Sequence, residues 1–223
     1  MFMLGRAMVV VDLPLLLSFM LAAILLTITP GIDTVMMLRA TTVGGVGGGI
    51  RAGVGIMLGL LLWGAMVSVG LGALLQTSAI AYDCVKWAGA GYLCALGIKQ
   101  LMSPRQSLSG ATTGADGAAQ DLPPGGFLRK GFLTNILNPK VGVFYITFLP
   151  QFIPHGAAVG PYSFFLTLVH CALTAVWFVV LVMATLPLGR FLKTPRVVRL
   201  MDRVTGGVFI AFGAKLAVSS STR

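Results

Sequence analysis

Two ionisable residues stand in apolar surroundings where a charge needs a reason. Lys140 closes the segment Asn135-Ile136-Leu137-Asn138-Pro139-Lys140 and is the one charged residue between Phe132 and Phe152. Asp33 closes Thr29-Pro30-Gly31-Ile32-Asp33, and no other charge occurs from Leu13 onward to reach it. A charge in hydrocarbon is costly and marks a functional site by default. Each lies just past a proline, which removes a helical hydrogen bond and clashes with the preceding turn, so each apolar segment is expected to break there. Inside a membrane, such backbone is tolerated where it is buried in protein or lines a watery cavity. The chemistry on offer is reception of a zwitterion: Asp33 with broken-helix carbonyls for an ammonium, and Lys140 or a half-helix amino terminus for a carboxylate. The candidate substrate-binding residues are therefore Thr29, Pro30, Gly31, Asp33, Thr34, Asn135, Asn138, Pro139 and Lys140, with Asp33 also the candidate carrier of a coupling proton. Two alternatives stay open. The pair could be a buried salt bridge that locks two parts of the chain together, or Asp33 could be interfacial, since it lies roughly 20 residues beyond Leu13 and about 1.5 Å per residue then spans a bilayer.

The elements that must position these residues are membrane spans. The chain has 223 residues, 57% hydrophobic and 10% charged, with mean hydropathy +0.93, against about 25% charged in a soluble domain. Neither Ala52 to Tyr82 nor Val141 to Gly189 contains an acidic residue, lysine or arginine, and about 20 apolar residues suffice to cross a bilayer. Six spans are expected at 12–38, 52–75, 81–102, 127–153, 160–189 and 200–219. A net charge of +10 in a soluble chain would suggest nucleic acid; here the basic residues fall between spans instead. Arg39, Arg51, Arg105, Arg129, Lys130, Arg190, Lys193, Arg196 and Arg199 fill alternate connections, while 76–79 and 154–160 hold no lysine or arginine. The positive-inside rule then puts both termini outside the cytoplasm. Arg6 before the run from Leu13 has the look of a signal peptide, but no clear small-residue cleavage site precedes Thr29-Pro30, and Met8 is also a plausible start.

A polar stretch rich in Ser, Gly, Thr and Pro, 103–126, reads as a flexible linker dividing repeat 1–102 from repeat 127–223. Three spans on each side make the halves enter the membrane from opposite faces. The fold expected is all-α and integral to the membrane, with two inverted three-helix repeats whose first helices are interrupted at Pro30 and Pro139.

Other residues invite blander readings. Cys84, Cys94 and Cys171 lack metal-ligand spacing, and no metal or other cofactor is expected. Gly53, Gly55, Gly59, Gly64 and Ala65 allow close helix approach, and the five glycines within 44–49 read as a slack connector. His170 could relay protons or be a hydrogen-bonded structural residue. Arg190, Lys193, Arg196, Arg199 and Arg203 suit anionic lipid on the cytoplasmic side. An enzyme is disfavoured, because no H-E-x-x-H or G-x-S-x-G constellation occurs.

At its motifs the chain resembles the lysine exporter superfamily, especially its homoserine and threonine resistance branch. That family's T-P-G-P-[ND] stands here as Thr29-Pro30-Gly31-Ile32-Asp33, and its R-A-G opening of a glycine-rich span as Arg51-Ala52-Gly53 with Gly55 and Gly59. Its G-x-x-x-N-x-x-N-P-K block runs from Gly131 to Lys140 and continues into Phe144, Phe148 and Pro150-Gln151-Phe152. Ile32 departs from the family's second proline. The resemblance implies two inverted three-helix units and proton-coupled export of an amino acid or related metabolite across the bacterial inner membrane. The competing reading is a channel-like or ion-handling protein in which Asp33 and Lys140 form a gate. Which amino acid is moved, and whether the protein is a homo-oligomer, are left open by the sequence.

Overall fold

The structure is a computed structural model that describes residues 12–77, 79–104, 126–154, 156–192 and 194–218. Every element among them is helical. Helix α1, Leu13–Ile28, starts where the Asp12 carboxylate accepts the Leu15 amide at 3.0 Å and Pro14 fills the first turn without wasting a donor. It ends at Thr29, and after Pro30 and Gly31 the chain resumes as α2, Ile32–Thr77.

Helix α2 is a hairpin of two helical limbs. At Gly45 the backbone turns through φ 62°, ψ −165°, a combination open essentially to glycine alone. The limbs on either side then run antiparallel. A Cβ at Gly48 would sit 2.5 Å from the Ala40 carbonyl oxygen, one at Gly49 would strike Thr41, and one at Gly53 would touch Met37. The expected slack connector at 44–49 is thus corrected: one residue makes the turn, and its neighbours are helical because they pack against the opposite limb.

Helix α3 is Ala79–Met102 and α4 is Gly126–Ile136. A break at Leu137 and Asn138 leads into α5, Pro139–Val143, followed by a π-helical turn, Phe144–Phe148, and a 3₁₀ turn, Leu149–Phe152. The chain from α4 to Phe152 bends by 48° at the break. After a turn with Gly156 at φ 82°, α6 runs Val159–Leu192 and α7 runs Pro195–Val218. Both breaks therefore fall where the prolines predicted them. The basic stretch 190–199, expected as a connection, is largely helix. Arg196, Arg199 and Arg203 share an exposed face of α7 opposite buried Val198 and Asp202, whereas the Arg190 side chain and Lys193 lie outside the described residues, as does most of the linker.

Contacts at the small residues give the helix directions. The limb 46–77 pairs antiparallel with α6, through Gly49 against Val182 and Gly64 against Thr167. It pairs parallel with α4 and α5, through Gly131 against Ala52, Gly59 against Asn135 and Gly142 against Trp63. Helices α3 and α7 pack antiparallel, Gly97 against Gly206 and Gly213 against Ala90. One apolar core gathers Phe19, Phe144, Tyr145, Phe148, Phe152 and Leu166; a second gathers Met37, Leu38, Ile56, Phe178 and Leu181. Val69, Val176 and Met183 are more than half exposed, as side chains facing lipid can be. Within the apolar stretch Ile32–Gly70 the limb after Gly45, together with Val159–Thr185, is long and apolar enough to cross a membrane, and the bent pair ending at Phe152 makes a third if it is one span.

Candidate functional site

The two breaks meet in space, and each supplies what the other lacks. A helix leaves its last carbonyls without amide partners and its first amides without acceptors. At the end of α1 the carbonyls of Leu26 and Thr29 are taken by the Lys140 ammonium, at 2.9 Å each. A cation is favoured there by the helix dipole as well. Gly31 makes room for it, since a Cβ at that position would come within 3.1 Å of the Lys140 Nζ. Asp33 occupies the first turn of α2, the end of a helix at which the dipole favours an anion.

Asp33 is held from the second break. Its Oδ2 accepts from Asn135 Nδ2 at 2.9 Å and from Asn138 Nδ2 at 3.0 Å. The Asn138 side chain serves both partners, because its Oδ1 accepts the Lys140 amide at 3.1 Å and so caps α5, where Pro139 needs no partner for a missing N–H. Asn135 is fully buried and packs over Gly59, where a Cβ would come within 2.6 Å of its Oδ1. Asp33 thus accepts from two side-chain amides and the Lys140 ammonium donates to two carbonyls, while the field of Lys140 acts on the carboxylate.

Two acceptors in this cluster, Asp33 Oδ1 and Asn135 Oδ1, are buried without a hydrogen-bond partner. Both residues line a cavity of about 30 Å³ together with Thr34, Lys140, Thr27, His170 and Thr174, against an apolar wall that includes Ile56, Leu60 and Phe178. That volume admits about two waters, so a free amino acid would enter only as the walls move apart.

Of the nine residues singled out by sequence, Asp33, Thr34, Asn135 and Lys140 line the cavity. Asn138 and the Thr29 carbonyl hold the cavity residues in place. Gly31 contributes space, Pro30 is buried at the break, and Pro139 is exposed on the far side of its helix start. Sequence reading did not assign Thr27, Thr174 or Tyr145. His170 Nε2 lies 3.1 Å from Thr27 Oγ1 and its Nδ1 lies 3.1 Å from the Tyr145 hydroxyl, while Thr27 and Thr174 hydroxyls are 3.5 Å apart. The signal for this corner was the spacing of Ser163, Thr167, His170 and Thr174 along an otherwise apolar span.

Comparison with known proteins agrees with this architecture. The family model described as "LysE type translocator" matches residues 24–220. The "Leucine efflux protein" of Klebsiella pneumoniae is 27% identical over 207 residues, covering 92% of this chain and 95% of the relative. The "Homoserine/homoserine lactone efflux protein" of Salmonella typhimurium is 30% identical over 203 residues, 90% and 94% of the two chains. An "Uncharacterized membrane protein" of Vibrio cholerae is 30% identical over 210 residues, covering 94% of this chain and all of the relative. No solved structure matches the chain. A translocator family accords with the expectation of a transporter rather than an enzyme. The match across almost the whole chain, added to helices apolar enough to span a bilayer, makes this a multi-pass membrane protein of the LysE type translocator family.

Proposed function

We propose that the protein is a secondary exporter of an amino acid or amino-acid derivative, driven by proton antiport and working by alternating access around the Asp33 cavity. The observation that carries this reading is the pair of buried acceptors without partners, Asp33 Oδ1 and Asn135 Oδ1. An ammonium brings three donors and a positive charge, and it would satisfy both at once. Lys140 is the counterpart for the carboxylate, exchanging its carbonyl partners for a charged one as the cavity opens. Thr34 and the first amides of α2 would complete that end. Relatives named for efflux of leucine, homoserine and homoserine lactone are consistent with a small amino acid or derivative as cargo.

The mechanism rests on repeats 1–102 and 127–223, joined by linker 103–126, as inverted units of three spans. The antiparallel and parallel pairings of the helices support this, as does one proline break in the first span of each unit. Rocking of one unit against the other would expose the cavity to each side in turn. Asp33 exchanges ammonium for proton, so that one charge moving through about 100 mV supplies about 2.3 kcal/mol to export. The orientation that follows from the basic residues puts both termini outside the cytoplasm, in the inner membrane, with Arg196, Arg199 and Arg203 against anionic lipid.

Asp33→Asn keeps the shape of the side chain and removes its charge. It should abolish export of every metabolite that wild-type overexpression accumulates in the medium, while membrane abundance is unchanged, as read by mass spectrometry and immunoblot. Wild-type flux from this variant in vesicles would sink the assignment of Asp33. Saturable counterflow by the wild type separates a carrier from the channel reading, since a channel shows none.

A further inference from the structure

The cavity at the two breaks is too small for an amino acid, and a larger one adjoins it. Beside the space of about 30 Å³ around Asp33 lies a second of about 320 Å³, lined by twelve residues that are all apolar. Small-molecule pockets begin near that size, at about 300 Å³. The two cavities follow one another along the same three helical limbs. Thr34 and Met37 stand a turn apart on the first limb of α2, Ile56 and Met57 are neighbours on its second limb, and Thr174 and Ala175 are neighbours on α6; the first of each pair lines the polar cavity and the second the apolar one. Phe178 lines both. Its side chain is buried, and Gly53 leaves room beside the ring, where a Cβ would come within 3.3 Å of Phe178 Cδ2. The outer rim of the apolar cavity, formed by Ile50, Val54, Val179 and Met183, is exposed, and bilayer hydrocarbon would cover that side.

We propose that the apolar cavity is the subsite for the side chain of the cargo, that the Phe178 ring is the partition that moves to admit it, and that the cargo is an amino acid with a hydrocarbon side chain. This rests on the exporter reading above and adds the part of the substrate that Asp33 and Lys140 do not see. With the ammonium and carboxylate held in the polar cavity, the side chain must leave through one of its walls. The corner made by Thr27, His170 and Thr174 has hydroxyl and imidazole groups already engaged with one another, so it asks for no ligand. The opposite wall of Ile56, Leu60 and Phe178 is apolar, and behind Phe178 the space is present already. A hydrocarbon chain entering there loses no hydrogen bond, whereas a hydroxyl would leave its water partners and find none among the lining residues. Met37, Met57 and Met183 in the lining are unbranched and flexible, and can close around chains of different shape. Phe178 and Ala175 are thus the residues that set which side chains fit, Phe178 as the partition and Ala175 as the point where the cavity is easily filled.

The test is counterflow by the purified full chain in vesicles, with alanine, 2-aminobutyrate, norvaline and norleucine as probes. These share one zwitterion and differ by single methylenes, each of which should raise kcat/KM about four-fold. Homoserine, which carries a hydroxyl where norvaline has its last methyl, should fall below norvaline by about ten-fold. Ala175→Leu fills the cavity and should lower the ratio of norleucine to alanine at least about ten-fold. Phe178→Ala removes the partition and should raise that ratio by about four-fold or more, as the longer chain fills the space the ring leaves. Because each readout is a ratio, a loss of folded protein does not imitate it. Equal counterflow along the series, a preference for homoserine over norvaline, or a ratio unchanged in both variants overturns the subsite and leaves the exporter reading standing. A lipid retained by the wild type in native mass spectrometry and lost from Ala175→Leu, with the ratio unchanged, assigns the cavity to an acyl chain and overturns the subsite as well. Counterflow with none of the series and none of the twenty protein amino acids overturns the exporter reading from which the subsite follows.

Discussion

Asp33 is held by two asparagines, and the strength of that arrangement lies in how little freedom each has. Asn138 spends one end of its amide on Asp33 and the other on the Lys140 backbone. Asn135 reaches Asp33 only because Gly59 leaves it space. Gly59→Ala would drive a methyl to within 2.6 Å of the amide oxygen and push Asn135 off the carboxylate, and displacements near 1 Å can cost about a hundred-fold in rate. Transport in vesicles should fall by at least about ten-fold, whereas Gly70→Ala, with open space around it, should transport as wild type does. Equal activity of the two would show that Asn135 does not position Asp33. The identity of these residues was legible in the sequence, since an acid, a lysine and two asparagines beside prolines are out of place in apolar spans. That Lys140 grips the carbonyls of α1 could not be read there, because it depends on which broken end faces which.

At the scale of elements, two devices shape the chain. Prolines end α1 and start α5; the end of α1 is repaired from across the break by Lys140, and the start of α5 by its own cap, Asn138. Glycine acts differently at Gly45, where a φ of 62° breaks the helix and turns the chain back on itself. Gly45→Ala places a Cβ in a conformation that costs about 1–3 kcal/mol, so thermal unfolding in detergent should occur at lower temperature. Gly47→Ala, where a Cβ meets nothing, should unfold as wild type does. A slack connector would tolerate both alike. The glycine cluster was visible in the sequence, but five glycines in six positions conceal which one turns the chain. The glycines of the second span are contact points as expected, Gly55 and Gly59 meeting α4 and Gly53 and Gly64 meeting α6, whereas Ala65 is exposed.

For the whole molecule, the basic residues and the helix directions make one joint prediction. In a variant lacking Cys84, Cys94 and Cys171, a cysteine at Ala157 should react with an impermeant maleimide in intact cells, and one at Arg196 only after the membrane is opened. The reverse pattern would invert the topology and with it the side from which the cavity takes its cargo. Composition and uncharged runs by themselves determined that this is a helical membrane protein, because apolar length and charge are properties of the chain alone. The breaks too were written locally, since proline cannot donate a hydrogen bond whatever surrounds it. Only the tertiary structure decided that the breaks lie against each other and that Thr27, Tyr145 and His170 join into one chain of hydrogen bonds. These residues stand as many as 143 positions apart, and a hydrogen bond between them exists only once helices from both ends of the sequence have packed.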